Sequence, residues 1–119
     1  MSKDIVFSIS SAERYSLALF ELSKENNSLG PVEEQSLSVL NLINQSKDFF
    51  DLIKNPTTSQ EDLSKAINKI AENNKFDNLF RNFLNFLIQK RRFFFLEKIL
   101  KSFIEICSKK RGELMAELK

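Results

Sequence analysis

Apolar residues recur along this chain at intervals of three and four, with no strand-like alternation before the tail. That spacing marks helices that each bury one face. Ala12, Tyr15, Leu19 and Leu22 set the first helix, with Ala18 beside them. Its start is expected at Ser10, which forms a capping-box pattern with Glu13, and Asn26-Asn27-Ser28 closes it. Pro31 suits the first turn of a second helix, where its missing N–H costs nothing. Leu37, Leu40 and Ile43 mark that helix's inner face as far as about Asn44. Phe49, Phe50, Leu52 and Ile53 make a short third helix, stopped by Asn55-Pro56 because a residue before proline avoids the helical region. Thr58-Ser59-Gln60-Glu61 reads as a second capping box, followed by Leu63, Ala66, Ile67 and Ile70. After Asn73-Asn74, a fifth helix carries Leu79, Phe80, Phe83, Leu84, Phe86, Leu87 and Ile88. A sixth carries Leu96, Ile99, Leu100, Phe103, Ile104 and Cys107. The expected fold is all-α, a compact bundle of about six helices.

Two helices are apolar over more than one face. On helix 1, Leu17 and Phe20 extend the apolar surface beyond the Ala12–Leu22 stripe. On helix 5 the apolar arc covers about 200°, where a surface helix needs little more than about 100°. Either these helices are central in the bundle, or they also line a groove for an apolar helix from another protein. The start of helix 6 poses a similar question, because Phe93, Phe94 and Phe95 are consecutive. At about 100° per residue, Phe93 turns toward the core and Phe94 faces about 160° away from it. Phe94 therefore needs a neighbour other than the core.

Composition narrows the chemistry. Two glycines and two prolines in 119 residues leave little material for tight turns, which again favours helices. Twelve phenylalanines, one tyrosine and no tryptophan place aromatic mass where no polar atom needs a partner. Residues 1–60 hold five Lys/Arg against eight Asp/Glu, a balance of −3, and residues 61–119 hold thirteen against eight, a balance of +5. That asymmetry hints at a charged partner, but falls short of the basic excess usual in nucleic-acid binders. The cations Lys90, Arg91 and Arg92 fall at the end of helix 5, where they oppose the negative pole of the helix dipole for about 0.3–1 kcal/mol each.

No histidine is present, which removes the commonest general base and metal ligand. Cys107 is the only cysteine, so it forms neither an intramolecular disulfide nor a Cys–His dyad. Its apolar neighbours Phe103, Ile104 and Ile106 suit a neutral buried thiol. Two glycines exclude both G-x-G-x-x-G and the phosphate-binding P-loop. The carboxylate pairs Glu33-Glu34 and Glu61-Asp62 fall in expected first helical turns, where they favour the dipole. No catalytic residue, metal site or cofactor is implied, and no signal peptide or apolar run of about 20 residues is visible. The chain reads as a soluble binding module or connector rather than an enzyme.

The stretch Ala12-Glu13-Arg14-Tyr15-Ser16-Leu17-Ala18-Leu19-Phe20-Glu21-Leu22 resembles the "A-R-x-Y-A-x-A-L-F-x-L" opening of the delta subunit of F-type ATP synthases. Its mitochondrial counterpart is the oligomycin-sensitivity-conferring protein. Phe50 to Ser59 is similar to that family's "L-L-x-N-P-x-I-S", and Asn82 to Leu87 to its "N-F-L-x-L-L". Arg92-Phe93 stands where the family has "N-G-R-L", and Arg111 to Leu118 resembles "R-G-x-V-x-A-x-V". One departure is Arg91, where the family has glycine, so the joint between helices 5 and 6 must turn without it.

The resemblance implies a stator connector without catalytic residues, on the cytoplasmic side of a bacterial plasma membrane or the matrix side of a mitochondrial one. Residues 1–110 would form the N-terminal bundle that binds the catalytic head through N-terminal helices of alpha subunits. Residues 111–119 would begin a further domain that holds the peripheral stalk b subunit. No nucleic acid and no direct membrane insertion are implied. In the family, helices 1 and 5 form the groove for the alpha-subunit helix. The corresponding wall here would be Tyr15, Ala18, Leu19 and Leu22 with Leu79, Phe83, Phe86 and Leu87, each with plain core as its alternative. Arg14, Arg81 and Lys90 either meet acidic residues at the rim or are solvated. The competing reading is an RNA-binding helical bundle of the transcription-antitermination type, in which the cations at 90–92 contact phosphates.

Overall fold

In the computed structural model, backbone is described for residues 2–55 and 57–117, and side chains for 11–55 and 57–112. Six α-helices follow in order: α1 (Ser2–Glu25), α2 (Leu29–Gln45), α3 (Lys47–Lys54), α4 (Gln60–Asn73), α5 (Asn78–Gln89) and α6 (Leu96–Glu117). A 3-10 turn over Phe93–Phe95 precedes α6. The described residues contain no strand, and no helix among them is long and apolar enough to cross a membrane.

Helix α6 lies at the centre. Leu96, Ile99, Leu100 and Phe103 are wholly buried, and α1 and α2 pack along it while α4 pairs with α5. Each fully buried Leu, Ile or Phe contributes about 1.5–3 kcal/mol, so this one stripe supplies much of the cohesion. The C-terminal end of α6 is tied to α2 by Arg111, whose guanidinium donates to Glu33 across 2.6 Å. The helix is continuous across the boundary expected near residue 110.

Three helices end in the same way. At α1, the N–H groups of Asn27 and Ser28 donate to the carbonyls of Lys24 and Ser23. Lys75 and Phe76 repeat the pattern on Glu72 and Ala71 after α4, and Arg91 and Arg92 repeat it on Ile88 and Leu87 after α5. These are Schellman ends, which need a left-handed residue just past the cap. That residue is Asn27 (φ 55°), Lys75 (φ 51°) or Arg91 (φ 58°), never glycine. Arg91 thus adopts the strained conformation itself, and the joint turns without glycine.

Several boundaries and faces differ from those read in the sequence. Helix α1 runs through Ser10 back to Ser2, so Ser10 is no terminus, and its side chain lies outside the described residues. The cap of α4 is Ser59 rather than Thr58: its hydroxyl accepts from the amide of Asp62. Helix α2 opens at Leu29, two residues before Pro31, which moves Glu33-Glu34 beyond the first turn. Its inner face is Val32, Ser36, Val39 and Ile43, leaving Leu37 exposed. The triple phenylalanine forms the 3-10 turn rather than the first turn of α6. Its radial order still holds, with Phe93 buried and Phe94 46% exposed.

The most consequential difference is on α1. Its buried face is Ala12, Ser16, Leu19, Phe20 and Ser23. Ser16 and Ser23 are small enough for α1 to approach α6 closely. The Ser16 hydroxyl donates to the Glu13 carbonyl and to the Ser102 hydroxyl on α6. A stripe containing two serines does not register as apolar, so the row visible in the sequence is Ala12, Tyr15, Leu19 and Leu22, of which only Ala12 and Leu19 are buried.

Candidate functional site

Because the serine stripe is the one turned inward, an apolar row on α1 is left outside. Tyr15, Ala18 and Leu22 stand at i, i+3 and i+7, one face of a helix. Tyr15 is half-buried and Ala18 is exposed, and Leu22 is 45% exposed. On α5, Leu79 is half-buried and Phe86, seven residues on, is 41% exposed. The two rows meet where the rings of Tyr15 and Phe86 pack edge to face, centroids 6.1 Å apart and planes at 64°. Phe86 carries no polar atom and still shows two-fifths of its surface to water.

The eight residues singled out in the sequence therefore divide. Leu19 and Leu87 are fully buried and Phe83 is 6% exposed; they are core and form the floor behind the rows. Tyr15, Ala18, Leu22, Leu79 and Phe86 are the accessible part. Asn82, exposed between Leu79 and Phe86 on the same face, escaped sequence reasoning because a polar residue gives no periodic signal.

The cations near this face have separate fates. Lys90 caps α5 and holds its ammonium 5.7 Å from the Phe86 ring centroid, a cation–π contact at the rim of the apolar rows. Arg14 is exposed. Arg81 turns away toward α4: its Nε donates to Asn68 Oδ1 at 3.1 Å and its Nη2 lies 3.7 Å from Glu72. Asn85 joins the same network by donating to Asn68 Oδ1 and to the Arg81 carbonyl. Ser64 donates to Asn85 Oδ1. These bonds fix α5 against α4, leaving the Tyr15–Phe86 side as its outer face.

Nothing in this region resembles a reaction centre. Among the described residues, no cluster of three Cys, Asp or Glu side chains is placed to hold a metal ion. Cys107 is buried, and its thiol is pushed up from 9.0 to about 11 by burial and by the nearby Glu33 carboxylate. It is therefore protonated and unreactive at neutral pH. The arrangement can offer a partner apolar area, ring faces and a rim cation, which is the chemistry of helix-in-groove recognition.

Known proteins place the chain firmly. The family described as "ATP synthase delta (OSCP) subunit" matches residues 12–119. The chain is 57% identical over 118 residues to ATP synthase subunit delta of Pelagibacter ubique (strain HTCC1062), covering 99% of this chain and 64% of that one. It is 38% identical over 107 residues to ATP synthase subunit delta of Brucella suis biovar 1 (strain 1330), covering 90% and 58%. It thus spans about three fifths of the length of these curated relatives. Among solved structures, it superposes with a TM-score of 0.74 and 28% identity on a chain of the Toxoplasma gondii mitochondrial ATP synthase hexamer. That superposition covers 77% of this chain and 51% of the other. Between an RNA-binding bundle and an ATP synthase subunit, these matches favour the second, and the chain belongs to the ATP synthase delta (OSCP) subunit family.

Proposed function

We propose that this bundle is the head-binding part of a stator connector. The face formed by Tyr15, Ala18 and Leu22 of α1 with Leu79 and Phe86 of α5 receives the amphipathic N-terminal helix of an alpha subunit. Leu19, Phe83 and Leu87 form the packed floor that keeps the two rows at a fixed spacing. The observation that carries this reading is the half-open Tyr15–Phe86 ring pair bridging two helices. The pair adjoins exposed Leu22 and half-buried Leu79, so the exposed apolar residues here are contiguous across two helices rather than scattered singly, which is the pattern of a partner site.

Held by this contact, the catalytic head resists being dragged round by the rotor, so torque is delivered to nucleotide chemistry. The opposing anchor, to the peripheral stalk b subunit, belongs to the part of the full-length relatives outside the aligned region. The subunit acts as a peripheral component, on the cytoplasmic face in bacteria or the matrix face in mitochondria, and contributes no catalytic group. A preformed floor matters energetically, because affinity is what remains after the costs of ordering both partners.

Calorimetric titration with a peptide copied from the alpha-subunit N-terminus tests this. Apolar burial gives a strongly negative binding heat capacity and little dependence on salt. No saturable binding of the peptide by the folded chain, or tight binding of RNA instead with an affinity that falls steeply with added salt, would overturn it.

A further inference from the structure

Phe94 is turned away from the core, and its neighbours lie at the surface. Its ring rests against that of Phe95, centroids 4.1 Å apart, and its carbonyl accepts from the Lys54 ammonium at 3.2 Å. The same ammonium lies 5.9 Å from the centroid of the Phe50 ring on α3. Lys54 therefore links the two rings across the seam where α3 packs on the 3-10 turn. Phe50 is still 39% exposed and Phe94 46%. Two large apolar side chains from separate elements thus meet at the surface, on neither of the helices that carry the Tyr15–Phe86 pair. Contiguous exposed apolar residues of this kind mark interaction sites, where single ones do not.

The charges around the rings are of one sign. At about 100° per residue, Lys47 and Lys54 stand about 60° and 40° round α3 from Phe50, whereas Asp51 and Asp48 stand about 100° and 160° away. Arg91 borders the same surface recess as Lys54 and Phe94. Lys47, Lys54 and Arg91 are all exposed. None of the three has a carboxylate partner among the described residues. A stripe of cations beside exposed rings is complementary to a segment that carries both carboxylates and apolar side chains. It suits a phosphate chain less well. The stripe is narrow and bounded by Asp48 and Asp51, and each ring already has a neighbour, Lys54 or Phe95, where a base would stack.

We propose that Phe50 and Phe94, rimmed by Lys47, Lys54 and Arg91, form a second docking surface, for an acidic segment of another ATP synthase subunit. Apolar side chains of that segment cover the two rings and its carboxylates meet the cations. Covering the rings supplies the affinity, and the rim charges select the partner and speed its arrival. This surface is independent of the alpha-subunit contact at Tyr15 and Phe86 and stands or falls separately from it.

The test is photo-cross-linking in the assembled ATP synthase, with Phe94 replaced by p-benzoylphenylalanine. The expected product joins position 94 to a segment of another subunit in which Asp and Glu outnumber Lys and Arg. The same replacement at Leu37, which is 47% exposed on α2, is expected not to trap that segment. A synthetic copy of the trapped segment is then titrated onto this chain. Lys47→Glu combined with Lys54→Glu, both at exposed positions, is expected to weaken binding about tenfold at low salt, and the difference shrinks as salt is added. Phe86→Asp, on the other face, binds the copy like the parent. The proposal is overturned by no cross-link from position 94, or by one only to lipid, nucleic acid or the subunit's own chain. It is equally overturned by a trapped segment without excess carboxylate, by the same product from position 37, by undiminished binding in the folded double variant, or by loss of binding in Phe86→Asp.

Discussion

The Ser16 hydroxyl donates to the Ser102 hydroxyl across 2.9 Å, joining α1 to the central helix α6 where both are closely packed. This contact lies on the same face as the buried Ala12, Leu19 and Phe20, and together they set which way α1 faces. With Ser16 and Ser23 turned inward, Tyr15, Ala18 and Leu22 are turned out. Ser16→Ala is expected to cost about 1 kcal/mol through the lost hydrogen bond. Ser16→Leu puts three extra carbons into the seam and is expected to cost about 1–3 kcal/mol or more by overpacking. Urea denaturation of the two variants checks the order; a leucine variant as stable as the alanine one would mean that the seam is not close-packed.

Ser23 behaves differently, although it lies on the same stripe. Its hydroxyl is fully buried and has no hydrogen-bond partner. An orphaned buried hydroxyl costs about 1–3 kcal/mol of desolvation, so Ser23→Ala is expected to raise stability by roughly 1 kcal/mol. Its midpoint in denaturant rises while that of Ser16→Ala falls.

The sequence carried the number, order and approximate limits of the six helices because periodicity survives any choice of face. It also carried the exposed apolar positions of α1 and α5, since over-wide apolar arcs on those helices marked residues such as Leu22 and Phe86 that are left over once the core is filled. The core face of α1 was illegible because it is built from serines that satisfy or bury their hydroxyls, as Ser16 does on Glu13 and Ser102. The division of the candidate wall into open Leu22 and closed Leu19 depends on that same rotation. Three residues separate them, but on a helix three residues carry a side chain about 60° round, enough to pass from core to rim. The Arg81 side chain was equally unreadable, because its partners Asn68 and Glu72 sit on the neighbouring helix α4.

Of the three left-handed helix ends, Arg91 and Lys75 carry long side chains that, unlike Asn27, are ill suited to that region, which costs about 1–2 kcal/mol each relative to glycine. Glycine returns part of this as chain entropy, about 0.5–1 kcal/mol. Arg91→Gly and Lys75→Gly are therefore each expected to raise stability by up to about 1 kcal/mol, visible as a higher thermal midpoint. Neither variant shifting the midpoint upward would show that these helix ends unwind rather than adopt the Schellman geometry.

Cys107 gives a pH signature. Burial raises its thiol to about 11 in the folded chain, against an ordinary value of 9.0. The buried thiol must stay neutral, so its contribution is complete below pH 9 and is lost as pH rises from 9 toward 11. Replacing it by valine removes this group alone. The stability difference between parent and Cys107→Val is expected to be constant from pH 6 to 8 and to shift in favour of the valine variant above pH 9. Denaturation series at pH 7 and pH 10.5 measure it.

The most direct measurement uses the absence of tryptophan from the chain. A tryptophan-bearing peptide copied from the alpha-subunit N-terminus reports its own environment against a dark background. Its emission is expected to shift to the blue on titration with the parent chain. Leu22→Asp and Phe86→Asp, both on exposed positions, should abolish that shift while keeping the parent's thermal midpoint to within a few degrees. Unchanged peptide binding in both folded variants would contradict the assignment of this face to the alpha-subunit helix.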